Sequence, residues 1–199
     1  MSSVSESIVR EYFEQHEFLV RQRRKYIGQA RGQEEEDDID FFVLNPRPQA
    51  QSGVMPFVLG SRDLIFIERA IVVVKGWHTN IFSTARLTSA PKIFHFVEPK
   101  IFEQAARAFG KDGTPLKILV VPALPQNPQG RLESIALLRS KGIDAVLPFH
   151  TMLADLIKET EVNRNYQKSD LLQLIRILKN YDLFKEPQLE LFKSRRKKR

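Results

Sequence analysis

The chain has 199 residues, of which 42% are hydrophobic, and a formal net charge of +7 at pH 7. A chain of this length and composition can bury a core as one domain of ordinary size. It contains no cysteine, which excludes disulfides and thiolate-bound zinc or iron–sulfur clusters, so a metal would have to bind to carboxylates, carbonyls or the 4 histidines. This set of donors favours magnesium or manganese over zinc.

The sequence has no segment that predicts membrane insertion. No stretch approaches the ~20 consecutive apolar residues that cross a bilayer. The opening MSSVSESIVREYFEQ has no apolar signal region. We therefore expect a cytoplasmic protein that has no membrane partner.

Positive charge is concentrated in two clusters. The first consists of Arg21, Arg23, Arg24 and Lys25. An acidic run at 34–38 nearly offsets it. The second supplies six positive charges at the end of the chain and consists of Lys193, Arg195, Arg196, Lys197, Lys198 and Arg199. Such runs are often solvated faces or loops, but two basic clusters on a small domain are also typical of a protein that binds a nucleic-acid phosphate backbone.

An amphipathic helix is predicted at the start of the chain, over about 4–15. Ser3 and Glu6 have the spacing of a capping box. The apolar stripe of the helix consists of Ile8, Val9, Tyr12 and Phe13. At ~100° per residue, Glu6 lies on the flank of this stripe and Glu11 points nearly away from it. Glu6 is therefore the acidic residue that can face a sheet beneath the helix.

Short β segments are expected after this helix. Residues 18–20 suggest a strand that runs into the first basic cluster. The sequence IDFFVL at 39–44 predicts a second strand, with Asp40 inside it. Further β segments are expected at 57–59 and 64–67.

The sequence AIVVVKGWHT at 70–79 contains the strand around which the chain is organised. Its β-branched run is too short to cross a membrane and is bounded by Gly76, so it predicts a buried strand over 71–75. Lys75 lies at the carboxyl end of this predicted strand, and Trp77 and His78 follow shortly after it. In α/β proteins, polar side chains that bind ligands commonly lie at the carboxyl ends of strands.

The second half of the chain alternates between helices and strands. Pro99 is expected to start a helix that ends at Gly110. Its core-facing residues are Phe102, Ala105, Ala106 and Phe109. The remaining predicted elements are strands at 117–122 and 143–147, helices at 132–141 and 151–158, and a helix that Ser169 caps and whose stripe is Leu171, Leu174, Ile175, Leu178 and Tyr181.

This order predicts an α/β fold with a mixed β-sheet flanked by helices. We expect one domain over 1–160, a C-terminal helix packed on it over 161–186, and a flexible tail over 187–199. The sequence contains no P-loop and no dinucleotide fingerprint, which argues against a nucleotide-driven enzyme.

The succession of Glu6 on a helix, Asp40 on a strand and Lys75 at a strand end resembles the PD-(D/E)XK nuclease superfamily. The segments DIDFFVL and VVVKGWHT are similar to the second and third core strands of Holliday-junction resolvases and related restriction or repair nucleases. The resemblance covers about 6–157 as a pattern of elements. It implies a restriction-endonuclease-like fold.

In that superfamily, carboxylates hold magnesium and the lysine helps to orient or activate the attacking water. The resemblance therefore implies that Asp40 binds Mg²⁺ or Mn²⁺, that Lys75 is catalytic, and that Glu6 binds a second ion or a metal-bound water. Phosphodiester hydrolysis needs a metal that polarises a phosphoryl oxygen and a cation near the developing charge. Asp40 and Lys75 suit these two roles.

The sequence departs from the superfamily pattern two residues before the lysine, where Val73 stands in place of an acid. A lone carboxylate ligand at Asp40 would bind a hard cation weakly. Asp63, Glu68 and Glu98 are candidates for the missing acid. If the site is active, Val73→Glu is expected to strengthen metal binding. Loss of catalysis is the alternative.

A second register involves the segment RDLIFIERAIVVVKGWH, which resembles the very-short-patch mismatch endonucleases. There, Asp63 replaces Asp40 as the metal ligand, and Trp77 and His78 take roles in DNA intercalation and water activation. The cysteine and histidine ligands of that family's zinc site are missing here. We therefore prefer Asp40 and leave Asp63 open.

Simpler roles are also open for each of these residues. Asp40 could cap a turn or pair with Arg69, and Lys75 could extend from a strand end into solvent. Trp77 could pack over the edge of the sheet. His78 could form a local hydrogen bond.

The tail contains QLELF, which resembles the pentapeptide by which bacterial replication and repair proteins bind the DNA sliding clamp. Its residues are Gln188, Leu189, Glu190, Leu191 and Phe192. Leu191 and Phe192 would be apolar anchors, and Gln188 would hydrogen-bond at the rim of the pocket. Arg195 and Arg196 in the basic end would reach DNA threaded through the clamp. The alternative is that the apolar residues of this segment pack on the body of the protein.

Two functions follow as hypotheses. The first is a metal-dependent DNA endonuclease of repair, recombination or restriction. The second is a catalytically inactive nuclease-fold protein that binds DNA or a sliding clamp. The expected partners are DNA and a bacterial sliding clamp, and the oligomeric state, monomer or homodimer, is left open.

Overall fold

A computed structural model of the protein describes residues 3–23, 39–50, 53–110 and 113–184. The chain divides into two compact units, Met1–Lys158 and Glu159–Arg199. The division falls two residues before the end of the expected 1–160 domain. The tail expected over 187–199 lies outside the described residues.

The described part of the first unit contains five strands and a larger set of helices. The strands are β1 (Leu19–Gln22), β2 (Phe41–Leu44), β3 (Arg69–Val74), β4 (Leu116–Val121) and β5 (Ala145–Pro148). The α-helices are α1 (Ser3–Gln15), α2 (Thr84–Ser89), α3 (Pro99–Ala106), α4 (Pro128–Ser140) and α5 (Phe149–Glu159), the last of which ends at the boundary between the units. Short 3-10 helices occupy Ser61–Phe66, Pro91–Val97 and Arg107–Phe109.

The strands form one mixed sheet in the order β1-β2-β3-β4-β5. The pairs β1/β2 and β2/β3 are antiparallel, with Gln22 opposite Phe41 and Phe41 opposite Val72. The pairs β3/β4 and β4/β5 are parallel. The predicted α/β architecture with a mixed sheet flanked by helices is therefore confirmed.

Both faces of the sheet are covered. Alternate residues of a strand point to opposite faces, and Ile71 and Val73 belong to a buried cluster that also contains Leu87 of α2, Ala105 of α3 and Leu138 of α4. Helix α1 contacts β1 and β3 and buries its own predicted stripe outside this cluster. We infer that α1 covers the opposite face, which carries Val72 and Val74.

Two predicted β segments were wrong in detail. Residues 57–59 contribute one isolated parallel bridge, from Val58 to Val146, and residues 64–67 do not form a strand. Leu64 and Ile67 are both fully buried, and their spacing of three residues matches one face of a 3-10 helix. Asp63 supports this turn because its Oδ2 accepts the backbone N–H of Gly60 at 2.7 Å.

Two further expectations are corrected. Residues 79–91, in which no helix or strand was predicted, contain α2, which Ser83 caps by accepting the backbone N–H of Arg86 at 3.4 Å. Glu11 was expected to point away from the apolar stripe, yet it is only 8% exposed. The buried surface of α1 is therefore wider than its apolar stripe indicated.

The second unit contains α6 (Asp170–Asn180) in its described part. Ser169 caps this helix as predicted, and its Oγ accepts the backbone N–H of Leu172 at 3.2 Å. Ile175 is buried, whereas Leu174 and Tyr181 are exposed, so the predicted apolar stripe is only partly buried.

Candidate functional site

Asp40 and Val74 join two strands at the end of the sheet where the candidate residues were expected. Asp40 directly precedes β2 and is 2% exposed, and Val74 is the last residue of β3. The Oδ2 atom of Asp40 accepts the backbone N–H of Val74 at 2.7 Å. One carboxylate oxygen therefore has a structural role, because it satisfies a buried amide at the strand end.

The backbone of Asp40 links the strands on either side of it. Its N–H donates to the carbonyl of Val72 at 3.1 Å, and its carbonyl accepts the N–H of Arg23 at 2.9 Å. Arg23 directly follows β1. Asp40 is therefore held at the point where β1 ends, β2 begins and β3 approaches its end.

Glu6 lies in the first turn of α1, near the same end of the sheet. Its Oε2 accepts a hydrogen bond from the side-chain amide of Gln22 at 2.7 Å. Gln22 is paired with Phe41, the residue after Asp40. Glu6 and Asp40 therefore lie at neighbouring strand ends, which agrees with the prediction that Glu6 faces the sheet.

Lys75 follows β3 at its carboxyl end. Its backbone N–H donates to the carbonyl of Val120 at 3.0 Å, which extends the parallel ladder with β4 by one residue. The side chain is half-buried. Glu6, Asp40 and Lys75 thus belong to the same end of the sheet.

Gly76 lies in a close contact between the strand end and α1. A Cβ atom at this position would lie 2.6 Å from the Oγ of Ser5 and 3.1 Å from its Cβ. Ser5 is itself buried, and its Oγ lies 3.0 Å from the Nε2 of His78. Sequence reasoning missed Ser5, for which the only signal was a glycine that directly follows a buried strand.

Trp77 and His78 both pack against aromatic rings. The ring of Trp77 lies 5.9 Å from that of Phe82, and the guanidinium of Arg86 lies 4.8 Å from the centre of the Trp77 ring. His78 makes an edge contact with Phe149 at 4.6 Å. Trp77 therefore packs, as in its simpler interpretation, whereas the hydrogen-bond partner of His78 is Ser5 of α1, which is not local in sequence.

Val73, which stands where the resemblance to PD-(D/E)XK nucleases would place an acid, is fully buried in the hydrophobic cluster. Glu68, one candidate for the missing acid, pairs with Arg69, which lies at the opposite end of β3 from the strand end that Asp40 contacts. Glu98 follows the 3-10 helix Pro91–Val97, and its Oε1 lies 4.0 Å from the Nε2 of His95.

Asp63, the alternative metal ligand, lies beside another part of α1. The hydroxyl of Tyr12 donates to the Oγ of Ser61 at 3.0 Å, which places this 3-10 helix against α1. Tyr12 is six residues beyond Glu6, or roughly 9 Å along a helix axis. The second register would place Asp63 at the start of one strand of a β-hairpin, but Ser61–Phe66 is a 3-10 helix.

The described side chains do not fit a complete site for Mg²⁺ or Mn²⁺. No three His, Cys, Asp or Glu residues within the described ranges are grouped so that they could hold a metal ion. One oxygen of Asp40 is bound to a backbone amide, and Glu6 accepts from Gln22. A hard divalent cation needs protein oxygens that are available to it, and this donor set is too small.

The described basic residues of the first cluster lie on and beside β1. Arg21 lies on β1 and is exposed, and Arg23 follows it and is half-buried. Arg24 and Lys25 lie outside the described residues, as do the tail residues Arg195, Arg196, Gln188, Leu189, Leu191 and Phe192.

Comparisons with protein-family models, with curated proteins and with solved structures show no match to this chain. The fold defines the class as an α/β protein with a five-stranded mixed sheet. Among the described helices, none has both the length and the apolar character needed to cross a membrane.

Proposed function

We propose that this protein binds DNA through the end of the sheet that carries Asp40 and Lys75, on a restriction-endonuclease-like core that no longer hydrolyses phosphodiester bonds. The observation that carries the proposal is the environment of Asp40. Its carboxylate is bound to the N–H of Val74, and Val73 beside it is fully buried among apolar residues.

The order of the elements supports a nuclease-like core. A helix with Glu6 precedes three antiparallel strands, and Lys75 directly follows the third of these. A parallel strand follows after a helical connection. This is the pattern of elements on which the resemblance to PD-(D/E)XK nucleases depends.

The loss of catalysis is supported by the number of available donors. A metal-dependent nuclease needs carboxylate oxygens that hold the ion close to the scissile phosphate. Here one oxygen of Asp40 is used by the backbone, and the position of the superfamily acid carries an apolar side chain.

DNA binding is supported by cations at the same end of the sheet. Arg23 donates its backbone N–H to Asp40, Arg21 is exposed on β1, and Lys75 follows β3. Lys and Arg side chains that neutralise phosphates provide most of the sequence-independent affinity for DNA.

Fluorescence anisotropy with a short fluorescein-labelled duplex tests this binding. Arg21→Gln combined with Arg23→Gln is expected to weaken binding and to reduce the slope of log K against log salt by about 2, one for each lost phosphate contact. Arg47→Gln combined with Arg62→Gln is the matched control, because Arg47 follows the opposite end of β2 and both residues are exposed. Equal effects of the two double variants would refute a site at this end of the sheet.

Metal-dependent endonuclease activity is the second candidate function. It is favoured by the location of Glu6, Asp40 and Lys75 at one end of the sheet. Incubation of DNA with the protein and Mg²⁺ or Mn²⁺ tests it. Cleavage that is lost in both Asp40→Asn and Lys75→Ala would establish this function and overturn the inactive interpretation.

A bacterial sliding clamp is the partner that we propose for the QLELF segment. The support is the sequence, since this segment lies outside the described residues. A peptide of the C-terminal residues is expected to bind the clamp with a dissociation constant on the order of 1 μM. Calorimetry on the wild-type peptide and on a peptide with Leu191→Ala and Phe192→Ala checks this, and equal binding by the two peptides would exclude the motif.

A further inference from the structure

Arg86 is held on an aromatic platform beside the candidate site. Its guanidinium carbon lies 4.8 Å from the centre of the Trp77 ring, and its backbone N–H is bound by the Ser83 cap of α2. The Trp77 ring in turn packs against Phe82, which is fully buried. The cation is therefore fixed in orientation by residues that belong to the core.

The charge of Arg86 is not neutralised within the described part of the chain. Buried side-chain nitrogen or oxygen atoms without a hydrogen-bond partner occur there at Gln15, Arg69 and Arg86. Arg69 has an ion pair with Glu68, whereas none of the described carboxylates pairs with Arg86. The buried Nε cannot reach a ligand in solution, so an external anion would bind the two terminal nitrogens of this guanidinium, whose charge no described carboxylate neutralises.

Arg86 lies at the carboxyl end of the parallel strands. Its platform, Trp77, is two residues beyond Lys75. The backbone N–H of Phe82 donates to the carbonyl of Ala123 at 2.8 Å, which ties this loop to the segment directly after β4. Two cations, Lys75 and Arg86, thus flank Trp77 at the same end of the sheet.

We propose that Arg86, stacked on Trp77, binds a phosphate group of the DNA backbone. A guanidinium that stacks through its face keeps its two terminal nitrogens available, and the N–H groups of these nitrogens match the paired oxygens of a phosphate. Because a stacked guanidinium is already ordered, little side-chain freedom is lost on binding. The inference rests on the proposed DNA binding and adds to it a residue that no sequence motif indicated.

Arg139 provides a closely matched control. Its guanidinium carbon also lies 4.8 Å from an aromatic ring centre, that of Phe57. It lies in the last turn of α4, and this helix runs back from the carboxyl end of β4 to the amino end of β5. Arg86→Gln and Arg139→Gln therefore remove the same charge and the same kind of stacking. The first lies at the carboxyl end of the parallel strands and the second near their amino end.

The experiment is a DNA titration of the full-length protein, followed by the anisotropy of a labelled duplex and by the fluorescence of Trp77, the only tryptophan in the chain. Arg86→Gln is expected to weaken binding about tenfold, as for the loss of one charge-assisted hydrogen bond. Its salt slope is expected to fall by about 1, and Arg139→Gln is expected to match wild type. In wild type the Trp77 emission is expected to change with the same midpoint as the anisotropy.

Arg86→Lys separates the role of charge from that of stacking. It keeps the charge and is expected to keep the salt slope while it binds more weakly than wild type, because an ammonium lacks the planar fork. Melting temperatures of all variants check the fold, and Arg86→Lys replaces Arg86→Gln in the comparison if the latter does not fold. If wild type binds DNA but all three variants bind as it does, the role of Arg86 is refuted and DNA binding stands. If wild type does not bind DNA, both proposals fail.

Discussion

The carboxylate of Asp40 accepts a hydrogen bond from the backbone N–H of Val74, with 2.7 Å between Oδ2 and N. The bond joins the residue before β2 to the last residue of β3. The sequence indicates Asp40 as a candidate metal ligand, and its side chain also holds the start of β2 against the end of β3. A loss of activity on substitution of Asp40 would have two explanations unless stability is measured as well.

Asp40→Ala is expected to lower the free energy of unfolding by about 1–3 kcal/mol, because the buried N–H of Val74 loses its acceptor. Asp40→Asn keeps an oxygen at this position and is expected to cost less. Asp144→Ala is a matched control, since the Oδ2 of Asp144 also accepts a backbone N–H, that of Lys117 at 2.8 Å, but at an exposed site where water can replace it. Urea unfolding measures all three, and equal stability of Asp40→Ala and wild type would exclude the structural role.

Gly76→Ala is expected to destabilise the protein by roughly 1–3 kcal/mol, the usual effect of overpacking. The new Cβ would lie 2.6 Å from the Oγ of Ser5, so either α1 or the strand end must move. Ser5→Ala removes this Oγ, and the glycine substitution is expected to cost less in that background. Gly53→Ala is the control because nothing lies within 4 Å of its Cβ position. Chemical denaturation checks these values, and Gly76→Ala with no more effect than Gly53→Ala would contradict the contact.

Burial of Tyr12 raises the pKa of its hydroxyl well above the ordinary value of 10.0. The unfolded state then loses this proton near pH 10 while the folded state keeps it, so stability falls as the pH rises above about 10. Tyr12→Phe is expected to lose stability less steeply between about pH 9 and 11, even though it lacks the hydrogen bond to Ser61. Tyr181→Phe, at an exposed tyrosine, is expected to behave as wild type. Parallel slopes for Tyr12→Phe and wild type in pH-dependent unfolding would contradict this.

Val73→Glu is expected to destabilise the protein by several kcal/mol and not to strengthen magnesium binding. The sequence alone predicts the opposite, but Val73 is fully buried in the hydrophobic cluster, where a carboxylate has no partner. Val54→Glu is the control because Val54 is 98% exposed. The measurement is thermal unfolding with and without Mg²⁺. A folded Val73→Glu that gains more stability from Mg²⁺ than wild type does would show that this side chain reaches a metal site.

Much of the fold follows from local signals. The apolar stripe of α1, the β-branched run of β3 and the Ser169 cap of α6 each appear at the predicted position. These signals depend on residues close together in sequence, and burial of a periodic face or satisfaction of a helix end is decided within a few residues. The run 64–67 was misassigned because a short apolar run of this kind fits either a strand or one face of a 3-10 helix.

The site depended on contacts between distant residues. The order of elements indicated Glu6, Asp40 and Lys75 as candidates, but their location at one end of the sheet depends on the antiparallel pairing of β2 with β3. The bond from Asp40 to Val74, the contact of Gly76 with Ser5 and the stack of Arg86 on Trp77 join segments from different elements. No local pattern specifies such contacts, because they depend on how helices pack on the finished sheet. Tertiary packing therefore determined which oxygens of the acidic residues are occupied and that Arg86 stacks on Trp77.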